Sequence, residues 1–334
     1  MMKPVNWGVL GAAKFARDHM ARAIHEAEGA RFHALATSDP AKAAGFRAFA
    51  PDIVVHDGYD ALLADPSVEA VYIPLPNNLH VEWTLKAIAA GKHVLTEKPI
   101  AMCAGQIDAL IAARDASDLL VAEAYMIVHH PQWRRARALV AEGAIGPILH
   151  ADAAFSYDNR ADPGNIRNRP ETGGGSIPDI GVYAYGAIRH VTGAEPVRVH
   201  SRIIRENGVD VFTQVLADME GPGGTFTCGA MTSMRLPPRQ EVTFQGAEGL
   251  IRMTGPFNAG LFAEAQLHMI RPGRPDHVER FPGVRQYRNQ VEAFCRSLRE
   301  GVAYPWSLED ARGTQAMIDM VLAGESTPWP PLPG

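Results

Sequence analysis

Glu97-Lys98-Pro99 follows Lys92-His-Val-Leu95, in which His93–Leu95 reads as a short strand. A lysine at the carboxyl edge of a parallel sheet faces the crevice where such folds bind ligands. There its ammonium could polarise or deprotonate a hydroxyl. The proline after it restricts Lys98 to extended geometry, which aims the side chain; a solvated loop lysine is the bland alternative. A second constellation is Gly173-Gly-Gly-Ser-Ile-Pro-Asp179-Ile-Gly-Val-Tyr183. On a helix, Asp179 and Tyr183 are i,i+4 neighbours on one face, a carboxylate beside a phenol and a plausible proton-handling pair. Read alone, Asp179 serves equally as a helix cap and Tyr183 as a half-buried aromatic.

Two further sets suit a phosphorylated ligand. Gly11-Ala12-Ala13-Lys14-Phe15-Ala16 follows the apolar run Val5–Leu10 and opens a helical pattern. It fits G-x-G-x-x-G/A with Ala13 at the second glycine: a tight turn at Gly11, close backbone approach at 13 and a small residue at Ala16. The helix start would offer N–H groups to a pyrophosphate, although any tight strand-to-helix turn favours small residues. After the second strand, Thr37, Ser38 and Lys42 offer hydroxyls and a cation, as a ribose 2′-phosphate requires. Asp39 comes later than the acid of NAD sites, and a plain turn-forming loop reads equally well. Arg167 and Arg169, in a loop flanked by glycine and proline, are either substrate contacts or surface arginines.

The elements that must carry these residues change character along the chain. Val5–Leu10, Arg31–Ala36, Ala70–Ile73, His93–Leu95 and Leu119–Ala122 read as strands. Helices over Lys14–Glu28, Asn78–Ala90 and about Ala104–Ala116 lie between them. That alternation predicts βαβ crossovers and a parallel sheet. After Tyr125 a helix over Pro131–Glu142 is followed by runs of period two at 197–203, 209–216, 226–230, 241–245, 250–253 and 266–270. They predict a largely antiparallel sheet with one open face, bare and apolar enough to be an interface. Helices are expected over Gln286–Glu300 and from Ser307, where Ser-Leu-Glu-Asp310 forms a capping box. Thr327–Gly334, half proline, is read as irregular.

The 334 residues, 46% hydrophobic and 21% charged, fit two folded domains. A net charge of −5 gives no footprint for nucleic acid or anionic membrane. No run of 18 apolar residues predicts a membrane span, and no leader pattern is read after Met1. Cys103, Cys228 and Cys295 lack the spacing of a zinc site and suit structural thiols in a reducing cytoplasm.

Together these residues resemble the glucose–fructose oxidoreductase/inositol dehydrogenase family (Gfo/Idh/MocA) over essentially the whole chain. The glycine turn, Pro74-Leu-Pro-Asn-Asn-Leu-His80, Ala90-Gly-Lys-His-Val-Leu-Thr-Glu-Lys-Pro99 and Gly173–Tyr183 carry the likeness. Glu123-Ala-Tyr-Met126, His130-Pro-Gln-Trp133 and Asn165-Ile-Arg-Asn-Arg-Pro170 resemble the branch of NADP-dependent D-xylose 1-dehydrogenases and dimeric dihydrodiol dehydrogenases. The resemblance implies an α/β architecture: a Rossmann domain with a doubly wound parallel sheet over 1–125, then an α+β substrate-binding and dimerisation domain over 126–334 with a large, mostly antiparallel open sheet.

It also implies that Lys98 acts at the reacting carbon with Asp179 and Tyr183 as partners. Implied cofactor contacts are Gly11, Ala13, Lys14, Phe15, Thr37, Ser38, Lys42, Pro74, Asn77, His80, Glu97 and Lys98. Implied substrate contacts are Tyr125, Arg167, Arg169, Asp179 and Tyr183. Ala13 departs from the family's usual glycine or serine, and the Ser-Arg pair of NADP members is absent after the second strand. The expected enzyme uses NADP, or NAD, and no metal. It oxidises a carbohydrate or cyclic diol, such as an aldopyranose at its anomeric carbon, and forms a homodimer or higher oligomer without nucleic-acid or membrane partners. The alternatives are a trans-dihydrodiol dehydrogenase, an anhydrosugar ketone reductase and a non-catalytic NAD(P)-binding sensor.

Overall fold

The computed structural model describes residues 3–325, in two compact units. The first takes the chain up to Ala101, Gly105–His129 and Arg285–Ala311; the second takes Met102–Ala104, His130–Val284 and the chain from Arg312. The division therefore runs through the chain several times, and a cut near residue 125 describes only one crossing. The tail expected to be irregular, Thr327–Gly334, lies outside the described residues.

The first unit is built on six parallel strands: β1 (Val5–Leu10), β2 (Ala30–Ala36), β3 (Val54–His56), β4 (Ala70–Ile73), β5 (His93–Glu97) and β6 (Val121–Ala124). Their order is β3-β2-β1-β4-β5-β6. The strand order reverses beside β1, so the crevice for a ligand opens at the carboxyl ends of β1 and β4. Trp7, Met20, Ile24, Phe32, Leu35, Phe46, Tyr72 and Leu95 form its core. Phe294, from the late helix Gln286–Glu300, packs on Trp7 with ring centroids 4.8 Å apart. That contact draws the late segment back to the first unit. The first helix ends at Glu26, two residues short of the expected Glu28, because Ala27 turns extended. Strand β3, only three residues long, was not expected.

The second unit holds an eight-stranded sheet. Its strands are β7 (Ile148–Asp158), β8 (Glu195–Glu206), β9 (Val209–Gly221), β10 (Gly224–Ser233), β11 (Arg235–Gly246), β12 (Gly249–Thr254), β13 (Gln266–Ile270) and β14 (His277–Arg280). The order is β14-β13-β12-β11-β7-β10-β9-β8, antiparallel except for β7 beside β10. Val215, Ala217, Cys228, Ala230, Ala151, Val242, Phe244 and Ile251 are buried on one face, towards the helices Pro131–Ala141 and Val182–Thr192. The opposite face carries Gln214, Leu216, Asp218, Thr227, His150, Asp152 and Thr243 in register. The bare apolar face expected there is thus mostly polar, with Leu216, 61% exposed, its main aliphatic member. Ser307 and Asp310 cap each other's backbone N–H reciprocally, as the capping-box reading expects.

Candidate active site

In the first unit, chemistry collects at strand ends. Gly11 follows β1 with φ +109°, a conformation that favours glycine. A Cβ there would meet Leu75 Cδ2 at 3.2 Å and the Tyr59 hydroxyl at 3.3 Å. The helical run begins at Lys14, so this turn and helix start fit a pyrophosphate. Lys14 is drawn to Asp18 at 2.5 Å, and the half-exposed Phe15 ring lies 5.6 Å from that of Tyr287. Beyond β2, the Thr37 hydroxyl accepts from Asp39 N–H at 3.1 Å. Asp39 in turn caps the helix Pro40–Arg47 by accepting from Ala41 N–H, with Lys42 Nζ 3.9 Å from its carboxylate. Asp39 is therefore engaged with its own helix, leaving Thr37 and Ser38 as the groups at the strand end.

Glu97 closes β5. Its carboxylate accepts from the Tyr72 hydroxyl at 2.6 Å and from Lys98 N–H at 3.3 Å. Lys98, half-buried, joins Pro99 through a cis peptide. His80 does not stand at a ligand surface: it is fully buried, with its ring nitrogens 2.7 Å from the carbonyl oxygens of Pro99 and Leu75. It braces the loops that follow β4 and β5, among them the segment of Pro74 and Asn77. Tyr125, expected as a substrate contact, is also fully buried and stacked on Trp306 at 4.5 Å within the first unit.

In the second unit, a helical stretch runs through Ile177–Gly181 into Val182–Thr192 and carries both Asp179 and Tyr183, as the spacing expects. The buried Asp179 carboxylate accepts from the Tyr157 hydroxyl at 2.6 Å and from Arg167 Nε at 2.9 Å. The Asp179 charge holds the Arg167 guanidinium above its ordinary range, while burial and then Asp179 push the Tyr157 phenol up. Tyr183 lies among aromatics, 6.0 Å from the Phe155 ring and 5.8 Å from Phe257. Arg169 is exposed; of the two loop arginines, Arg167 is the one brought to Asp179.

The triple glycine answers a crowding problem. A Cβ on Gly174 would lie 2.5 Å from the Arg167 carbonyl oxygen, and one on Gly175, at φ +125°, would collide with the Asp210 carboxylate. Asp210, itself buried, accepts from the Ser176 hydroxyl at 2.6 Å and Ile177 N–H at 2.7 Å, anchoring the start of the helical stretch. Tyr157 and Asp210 escaped the sequence reading. Tyr157 sits on β7, whose alanine-rich alternation is faint, and Asp210 sits at a polar position of the β9 alternation, where it looks like any strand acid. Among the described residues no cluster of histidine, cysteine, aspartate or glutamate could hold a metal ion, and no helix is long and apolar enough to cross a membrane.

Residues 5–125 match the model of an oxidoreductase family with an NAD-binding Rossmann fold, and 133–252 match the GFO/IDH/MocA C-terminal domain. The chain belongs to the GFO/IDH/MocA family. It is therefore an oxidoreductase with a nicotinamide-dinucleotide fold in its first unit. A dTDP-3,4-didehydro-2,6-dideoxy-alpha-D-glucose 3-reductase of Saccharopolyspora spinosa is 36% identical over 305 residues, 90% of each chain. An NADP(+)-dependent D-xylose 1-dehydrogenase of Haloferax volcanii is 31% identical over 321 residues, 96% of this chain and 97% of that one. Among solved structures, a 3-ketoreductase from Actinomadura kijaniata in complex with NADP and TDP-benzene matches with a TM-score of 0.87. It is 29% identical and covers 98% of this chain and all of the other.

Proposed function

We propose that the protein is an NADP-preferring dehydrogenase of a sugar or cyclic polyol, acting on an aldopyranose such as D-xylose at its anomeric carbon. The observation that carries the reading is the Asp179–Tyr183 turn. A carboxylate held by Tyr157 and Arg167 stands one helical turn before a phenol, in a family chain that also places Lys98 after β5. The nicotinamide, when bound, supplies the two-electron acceptor. Tyr183 and Lys98 are the proton-handling groups of the reading, a phenol and an amine each able to take or polarise a hydroxyl proton. Asp179 orients sugar hydroxyls, and Arg167 fixes its rotamer. Thr37, Ser38 and Lys42 favour a 2′-phosphate while Asp39 is spent on its helix; with no arginine there, the preference for NADP should be modest, on the order of tenfold. The three free thiols support a cytoplasmic setting.

The test is steady-state kinetics with both cofactors on a panel of aldoses and cyclic diols. Lys98→Ala and Tyr183→Phe should each lower kcat by roughly 10²–10⁴ and change cofactor affinity far less. The double variant should lose less than the product of the singles. Near-full kcat in Tyr183→Phe with several sugars would reduce that phenol to packing, and a clear NAD preference would overturn the reading of the β2 end. A second reading, reduction of a ketone on a nucleotide-linked deoxysugar, is favoured by the Saccharopolyspora relative. Turnover of such a ketone with none of the aldoses would put it first.

A further inference from the structure

In the second unit, the loop that brings Arg167 to Asp179 has no core of its own. Residues 158–172 join β7 to the glycine loop, and none of them is buried. Ile166, their large aliphatic member, is 44% exposed. A segment with so little apolar burial opens easily unless hydrogen bonds hold it. Within the loop, Asn168 Nδ2 donates to the Asp162 carbonyl at 3.0 Å and the Thr172 hydroxyl to the Ile166 carbonyl at 2.5 Å. These bonds fold the loop on itself.

Arg235, the first residue of β11, ties it to the sheet. It stands opposite Asp158 in the β7–β11 register and is 6% exposed. Its guanidinium donates in several directions. Nη1 reaches Asn159 Oδ1 at 2.6 Å and the Met234 carbonyl at 2.9 Å, and Nη2 reaches Asn168 Oδ1 at 3.2 Å. Nε reaches the Glu206 carboxylate, at the end of β8, at 2.6 Å, which supplies the countercharge that a buried guanidinium needs. Asn159 and Asn168 bracket the turns that bear Arg167, so one buried side chain closes the loop at its neck. A guanidinium offers these donors in a fixed fork, whereas a lysine reaches from one point.

The neck is one residue from the site. Beside Asn168, Arg167 presents Nε to Asp179 at 2.9 Å, and its carbonyl accepts from Gly175 N–H at 2.9 Å. A shift at Asn168 is therefore passed to both the Asp179 carboxylate and the glycine loop. We propose that Arg235 is a positioning residue: it clamps Asn159 and Asn168 together and so holds Arg167 against Asp179 before substrate binds. This rests on the role given to Asp179 above, but the clamp itself can be measured without turnover.

Hydrogen–deuterium exchange of the full-length protein, resolved on peptic peptides, compares residues 158–172 with β9 and β10. In Arg235→Lys the loop should exchange at least about tenfold faster while β9 and β10 stay parental, because a lysine cannot reach both asparagines and Glu206 together. With whichever substrate the parent turns over, kcat/KM should fall about tenfold or more. The KM for NADP should stay within about threefold, since the turn that fits the pyrophosphate belongs to the first unit. Arg167→Ala should lose a similar factor, and adding Arg235→Lys to it should lower kcat/KM no more than about threefold further, because the two act in series. Should Arg235→Lys fail to fold, Asn159→Ala/Asn168→Ala removes the loop's acceptors, leaves Arg235 with Glu206, and decides by the same readouts. Parental exchange in 158–172, equal acceleration throughout the sheet, or losses that multiply in the double variant would overturn the proposal. Parental kcat/KM in Arg167→Ala instead sinks the reading of Arg167 as the holder of Asp179, whereas the exchange result still decides the place of Arg235.

Discussion

Asp210 carries a consequence that is measurable by itself. Burial pushes its carboxyl up to about 6, and the Ser176 hydroxyl and Ile177 N–H only partly oppose that. Between the unfolded carboxyl range near pH 4 and the folded value, the native state binds more protons than the unfolded chain. Stability from this group is then fully present below about pH 4 and is lost as pH rises through 6. The shift from 3.8 to about 6 amounts to something on the order of 3 kcal/mol. Asp210→Asn keeps a carbonyl oxygen for Ser176 and Ile177 but cannot titrate. Urea unfolding between pH 4 and 7 should show the variant gaining on the parent by that order as pH rises. A pH-independent difference would mean that Asp210 is no more perturbed than a surface acid.

At the scale of elements, the loop from Gly173 to Ser176 decides where the Asp179–Tyr183 turn begins. Gly175 combines a left-handed φ with a space already filled by Asp210. Gly175→Ala should therefore cost about 2–4 kcal/mol, from backbone strain and from displacing a buried carboxylate. It should lower kcat more than it raises the KM for cofactor, because Asp179 and Tyr183 ride on the displaced turn. A thermal melt within a degree of the parent would show that the loop relaxes freely. The aligned spacing of Asp179 and Tyr183 was legible because i,i+4 follows from helical geometry alone. Strand β7 was not: Ile148–Asp158 is rich in small residues, and its place between β10 and β11 comes from long-range pairing.

For the whole molecule, the open face of the eight-stranded sheet is the feature that calls for a partner. Helices cover one face, while the other carries Leu216 amid charged and polar rows such as Arg198 with Asp218 and His150 with Asp152. Interfaces need not be more apolar than ordinary surface, provided an aliphatic centre is ringed by polar groups. We expect a homodimer through this face. Sedimentation at micromolar concentration should give dimer for the parent and a shift towards monomer for Leu216→Arg, whose unpaired charge would be buried at the contact. A parent that sediments only as monomer would remove the sheet as an oligomer interface.

What the residues determined by themselves was local and repetitive: the period-two and period-3.6 patterns, the glycine turn after β1, the Glu97-Lys98-Pro99 run, and the reciprocal cap at Ser307. Each depends on neighbours within a few positions, so chain chemistry suffices to specify it. Tertiary structure alone decided the rest. It assigned residues 285–311 to the first unit through Phe294 on Trp7, and it buried His80 and Tyr125, expected as a cofactor and a substrate contact, completely. It gave Asp179 its partners Tyr157 and Arg167, and Glu123 its donor Trp306, 183 residues away. Such pairings are set by which buried polar atoms must find one another once water has been excluded, and sequence separation carries no trace of that.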